Sequence, residues 1–196
     1  MRNFIFLIIA LTLLNSCSEG KEIITNEEQQ VIQAAFMDPT NSRKTQAAFD
    51  ILDQRIIKHH KKTDYAIKMQ LLLSSEQFNM AMPTINEVLQ RYPDYVEMYA
   101  AGCALSLQQN DRKMAQDYYQ NAIDFYQKQL DDKADKLPIF ENMYLLSRLI
   151  GDTNGEELYF AQLQQLNLPD EHKSYIEYVK TASQKEMLKI FGISIE

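Results

Sequence analysis

Glycine and proline are scarce in this chain, with five of each among 196 residues. With 45% hydrophobic residues, that scarcity excludes a disordered chain and favours helix throughout. The glycines stand singly, so no glycine-rich phosphate loop, no G-x-x-x-x-G-K and no Gly-x-Ser-x-Gly elbow is present. Basic charge is also in deficit: 20 Lys and Arg face 27 Asp and Glu, for a net charge of −7. That balance argues against nucleic-acid binding and against direct adsorption to anionic lipid. Only two cysteines occur, Cys17 and Cys103. Long apolar runs are missing too. The one charge-free stretch, Phe4 to Leu14 with Thr12 inside it, follows Arg2. As a helix it would reach roughly 16 Å, about half of a bilayer core of about 30 Å. It reads as a signal-peptide core rather than a membrane span.

What is present is a recurrence. Tyr65 returns as Tyr99, Ala81 as Ala115, Ile85 as Tyr119 and Val88 as Ala122, each 34 residues on. A period of 34 with small residues at fixed places points to stacked pairs of helices, each pair burying its apolar face on the next. The set Phe78, Ala81, Ile85, Val88 and Pro93 resembles the second half of a tetratricopeptide repeat. Residues 62–95 and 96–129 carry the clearest repeats. A degenerate one covers Glu27–Lys61, where Val31, Ala47 and Ile51 precede Tyr65, Ala81 and Ile85 by 34. There are departures: Glu76 and Asn110 stand where the repeat usually has a turn glycine, Gly102 and Cys103 are displaced by one from the usual large–small pair, and Arg112 replaces the aromatic of Phe78. The resemblance implies an all-α fold, a right-handed array of antiparallel helical hairpins closed by a C-terminal capping helix.

The sequence Leu14-Asn15-Ser16-Cys17 resembles the lipobox of bacterial lipoproteins. That resemblance implies cleavage before Cys17 and lipid on its sulfur and amine. Residues 1–16 are then a lipoprotein signal peptide, 17–26 a tether and 27–196 the helical-repeat domain. Loss of Arg2 takes the net charge from −7 to −8. Cys103 is left as the one free thiol, so no internal disulfide forms. Ser18, where an aspartate would hint at inner-membrane retention, favours the outer membrane.

Helices are expected over Glu27–Met37, from Asn41 or Ser42 to about Lys61, Thr63–Ser74 and Phe78–Arg91, then through a unit from Val96 to about Asp132 with its turn at Asn110-Asp111. Pro138 opens another helix, Gly151 ends it, and Asp152-Thr153-Asn154-Gly155 reads as a turn before Glu156–Gln165. The last helices are Asp170–Lys180 and a short one opened by the capping box Ser183–Glu186.

Chemistry-bearing clusters are few. His59 and His60 point about 100° apart on a helix and have no third ligand, so no metal site is assigned; with Lys61 and Lys62 they suit a helix C-terminus. Cys103 falls at a packing position without a histidine at helical spacing. The pairs Glu27-Glu28 and Glu156-Glu157 fall in first turns, where they favour the dipole. No nucleophile, base and orienting group come together, so no catalytic residue, enzyme activity or cofactor is expected.

In tetratricopeptide proteins, ligand peptides usually lie along the first helices of the hairpins. Carried onto this chain, the resemblance implies a groove lined by Thr63, Ala66, Gln70, Leu73 and Ser74, and by Glu97, Ala100, Ala104, Leu107 and Gln108. The lysine and asparagine of the chaperone-type carboxylate clamp are absent; Ala66, Gln70, Ala100 and Ala104 stand instead. The expected partner is another protein or peptide, with the membrane engaged through the lipid anchor. Function is expected to be that of an envelope scaffold or accessory subunit; the second expectation is an immunity or inhibitor lipoprotein that neutralises a secreted basic toxin or enzyme.

Overall fold

The computed structural model describes residues 24–131 and 135–193. The signal-peptide reading, Cys17 and most of the tether lie outside those residues. The described chain is all-helical, with ten helices: α1 Asn26–Met37, α2 Ser42–His59, α3 Lys62–Ser74, α4 Phe78–Arg91, α5 Val96–Gln108, α6 Arg112–Asp131, α7 Lys136–Ile150, α8 Thr153–Gln164, α9 Asp170–Thr181 and α10 Gln184–Ile190. None of them is long and apolar enough to cross a membrane. The chain divides into two compact units, Met1–Thr84 and Ile85–Glu196, and the division falls inside α4.

In the first unit α1, α2 and α3 pack on one another. Thr25 and Glu28 close a reciprocal capping box that starts α1, so the helix claims the end of the stretch read as tether. Along α2 the buried residues are Thr45, Ala48, Phe49, Leu52, Arg55 and Ile56. The sequence placed Ala47 and Ile57 on this face, yet Ala47 is exposed and Ile57 is 73% exposed. The stripe is turned because Arg55 takes an inner position: its Nε donates to Asp64 Oδ1 at 3.0 Å and its Nη1 to Glu28 Oε2 at 3.3 Å. Ile32, Ala48, Leu52 and Arg55 are therefore the buried counterparts of Tyr65, Ala81, Ile85 and Val88, at a spacing of 33 rather than 34.

The two clear repeats carry one turn, written twice. Glu76 and Asn110 both adopt left-handed backbone, with φ of 58° and 61°. Ser75, Glu76 and Gln77 donate their backbone N–H groups to the carbonyls of Leu71, Leu73 and Leu72; Gln109, Asn110 and Asp111 donate to those of Leu105, Leu107 and Ser106. Each bond is reproduced 34 residues on. These bonds satisfy helix-end carbonyls that would otherwise lack partners. Glycine is usual there because it enters left-handed space freely, yet the turn forms without it. Ala81 and Ala115 stand on equivalent turns of α4 and α6, and both are fully buried.

The second unit is built around α5 and α7. Nearly all of α5 is buried, from Val96 and Met98 through Ala101–Ser106, as befits a helix covered on several sides. Gly102 explains the displaced small residue: a Cβ there would stand 2.8 Å from the Tyr118 ring carbons, so the ring of an α6 residue fills the place a large α5 side chain would take. Tyr118 also donates to Asn86 Oδ1 at 2.8 Å and tilts against Tyr99 with ring centroids 6.4 Å apart.

After α7 the turn recurs in altered spacing. Gly151 has φ of 83°, and Asp152 donates its N–H to the Ser147 carbonyl. Asp152 then caps α8 by accepting from Gly155 N at 3.1 Å. Thr153, Asn154 and Gly155 are thus the first turn of a helix and not a loop. The expectation failed because Asn and Gly were given their turn propensity, while the aspartate before them is a strong N-cap. Helices α9 and α10 pack on α7. Arg148 fastens them, donating to the carbonyls of Val179, Lys180 and Ala182 at 2.9–3.3 Å and to Glu156 at 3.2 Å. Gln184 adds a bond to the Leu149 carbonyl at 2.8 Å, and the Ser183–Glu186 capping box forms as expected.

Candidate functional site

The groove residues fall on α3 and α5, one set in each unit, and each set is described by itself. On α3, Thr63, Ala66, Gln70 and Ser74 are half-buried, whereas Leu73 is buried. On α5, Glu97 is exposed; Ala100, Leu107 and Gln108 are half-buried; Ala104 is fully buried. Leu73 and Ala104 are therefore core side chains and offer no surface to a ligand. The repeat frame assigned both to a concave face, but helices buried on several sides keep little free face.

Two polar networks have the ingredients of chemistry, and their geometry makes both structural. In the first unit Arg55 is 7% and Asp64 is 1% exposed. The Arg55–Asp64 and Arg55–Glu28 pairs tie α1, α2 and α3 together. Burial opposes ionisation of Glu28, but the bonds from Thr25 and the Arg55 charge outweigh it and hold its carboxyl below the ordinary value. In the second unit Tyr119 donates to Asp152 Oδ2 at 2.7 Å, and Ser147 Oγ lies 3.0 Å from the Tyr119 hydroxyl. Ser147 also donates to the Met143 carbonyl at 2.9 Å. The Tyr119 bond, and then the Gly155 N–H, hold the Asp152 carboxyl below its usual range. Burial pushes the Tyr119 phenol up. A serine, a tyrosine and an aspartate in this order invite a nucleophile reading, but Ser147 is fully buried and Gly155 closes the space beside it. A Cβ at Gly155 would stand 2.6 Å from Ser147 Oγ and 2.7 Å from Asp152 Oδ2. The network fastens the α7–α8 turn to α6.

Cys103 is fully buried, and burial pushes its thiol up to about 12, away from thiolate chemistry. His59 ends α2, and His60 follows it in left-handed backbone, its N–H bonded to the Ile56 carbonyl at 2.9 Å. Among the described residues, no group of three or more His, Cys, Asp or Glu side chains could hold a metal ion.

A further cluster was not singled out from the sequence. Helix α7 packs against α5, α6 and α9, and around it gather Glu97 of α5, Tyr126 of α6, Glu141 of α7, and His172 and Tyr175 of α9. His172 Nδ1 lies 2.7 Å from Glu141 Oε1. That bond, opposed by slight desolvation and aided by the charges of Glu141, Glu171 and Asp135, raises the His172 pKa. Tyr126 is 4% exposed; burial first, then Glu97 and Tyr175, push its phenol up. Tyr175 is raised to about 12 by burial and then by Glu141 and Tyr178. The sequence carries one weak signal of this cluster: His172 and Tyr175 are three apart, hence on one face of α9.

No protein-family model matches this chain, and comparison with curated proteins and with solved structures likewise finds no match.

Proposed function

We propose that this chain is a lipid-anchored protein of the bacterial envelope that binds another protein, as a scaffold or accessory subunit, through a helical-repeat surface. The observation that carries the reading is the turn written twice, bond for bond, 34 residues apart around Glu76 and Asn110. Such a recurrence is what a tetratricopeptide-like array of antiparallel hairpins requires, and arrays of this kind present extended surfaces to peptides or helices. Helices α9 and α10, held on α7 by Arg148 and Gln184, suit the capping role. Cys17 at the end of a lipobox-like start supports lipid attachment, and more than one acyl chain would hold the protein firmly. The half-buried, small-sided Ala66 and Ala100 leave room for a partner's side chains. No enzyme activity is part of the proposal.

Two measurements test it. A radiolabelled fatty acid is expected to label the intact chain and not Cys17→Ala. Crosslinking followed by capture from membranes is expected to enrich one partner that Ala66→Arg or Ala100→Arg releases. Absence of any enriched partner overturns the binding reading. The alternative, an immunity or inhibitor lipoprotein, draws on one observation: residues 85–196 hold eighteen acidic and eleven basic side chains. Co-purification with a single basic effector, and protection of cells exposed to it, would favour that alternative.

A further inference from the structure

We propose that the second unit recognises its partner through a cationic side chain, arginine or lysine of a basic segment, taken between Glu97, Glu141, Tyr126 and Tyr175. The inference rests on the protein-binding reading and names the partner's chemistry. Four observations carry it. Glu97 and Glu141 come from different helices, α5 and α7, and face the same pair of tyrosines. The Tyr126 side chain is more than nine-tenths buried, yet its hydroxyl has no hydrogen-bond partner among the described residues and is turned toward Glu97 and Tyr175. Buried phenols usually find a partner, so this one marks a place that a ligand donor completes. The Tyr175 hydroxyl is likewise without one among the described residues. Finally, the whole excess of acidic charge lies in residues 85–196, which steers basic partners to this unit.

The fit is chemical. A guanidinium or ammonium group donates hydrogen bonds and accepts none, matching two carboxylates and two phenol oxygens that can all accept. Tyrosine faces add attraction for the cation and pack its aliphatic stem. His172 sets a condition. It faces Glu141 from α9, with Glu171 on its own helix and Asp135 just before α7. Protonated, it competes for Glu141; neutral, it releases that carboxylate to the incoming cation. Affinity is therefore expected to rise as pH increases through the raised His172 pKa.

The test is fluorescence anisotropy on the full chain, with labelled unstructured Gly-Ser peptides bearing four spaced arginines or four spaced glutamates. The arginine peptide is expected to bind and the glutamate peptide not. The double variant Glu97→Gln/Glu141→Gln is expected to weaken binding about tenfold or more. The control Asp117→Asn/Glu157→Gln removes equal charge from exposed positions and is expected to stay within about twofold. Tyr126→Phe is expected to weaken binding severalfold while leaving the thermal midpoint unchanged. Equal weakening by both double variants would reduce the effect to the general acidic field and overturn the proposal. Membrane capture of a partner that survives Glu97→Gln/Glu141→Gln, with no binding of the arginine peptide, overturns the cationic site and leaves the protein-binding reading standing. Loss of capture by every form of the chain removes both.

Discussion

The two units solve the same packing problem with different polar chemistry. Residues 1–84 carry nine basic and nine acidic side chains, while residues 85–196 carry eleven and eighteen. The balanced unit buries its charge: Arg55, Asp64 and Glu28 meet among α1, α2 and α3, and Asp64 Oδ2 has no partner. The acidic unit keeps most of its charge outside and joins its helices through neutral groups and backbone carbonyls, in the Tyr119–Ser147–Asp152 chain and the Arg148 clasp. A buried ion pair is weak evidence for stability but strong evidence of a fixed register, because breaking it strands a charge. The ion pairs therefore account for a first repeat set at 33 instead of 34. The acidic exterior of the second unit accounts for a preference among partners.

The largest effect is expected where the buried charge sits. Arg55→Ala leaves Asp64 uncompensated and should lower stability by about 3–5 kcal/mol, read by urea unfolding; Arg55→Met with Asp64→Leu should recover most of the loss. A similar loss in that double variant would mean that the ion pair sets more than the register. Next come the close approaches of the second unit. Gly102→Ala and Gly155→Ala each place a methyl under 3.0 Å from a neighbour, and each should cost about 1–3 kcal/mol of overpacking. Gly155→Ala should cost more, because two hydrogen-bonded polar atoms must move rather than one ring.

The turns give a smaller effect that sets one unit against the other. Glu76→Gly and Asn110→Gly should each stabilise by about 0.5–1 kcal/mol, since both residues hold left-handed backbone. The gain should be larger at Glu76, because asparagine tolerates this region better than glutamate. The smallest effect is pH-dependent. His172 has a raised folded-state pKa, so its pair with Glu141 adds stability in full below pH 6.5 and loses it as pH rises through the folded value. Thermal midpoints of the wild type and His172→Asn should differ slightly at acid pH and converge at alkaline pH.

Much of the fold was legible because its punctuation is local. Phe78–Arg91 is bounded as the apolar periodicity and Pro93 imply, and Gly151 ends α7 in left-handed backbone as a C-terminal glycine does. The 34-residue recurrence located the Ala81 and Ala115 turns despite the missing glycines. What stayed hidden depended on contacts between helices. Nothing near Arg55 announces that it lies inside, since its partners stand 9 and 27 residues away. Asp152 reads as a turn residue until its side chain is seen to cap α8. The burial of Leu73 and Ala104 follows from how many sides of α3 and α5 are covered, which no periodicity along one helix records. Glu97, Tyr126, Glu141 and Tyr175 meet only through the packing around α7.

The most direct measurement is backbone NMR across residues 62–131, with chemical shifts and scalar couplings reporting φ. Four helices are expected, at Lys62–Ser74, Phe78–Arg91, Val96–Gln108 and Arg112–Asp131, broken by positive φ at both Glu76 and Asn110. An unbroken helix through either residue, or extended backbone anywhere in the four segments, would contradict the repeat.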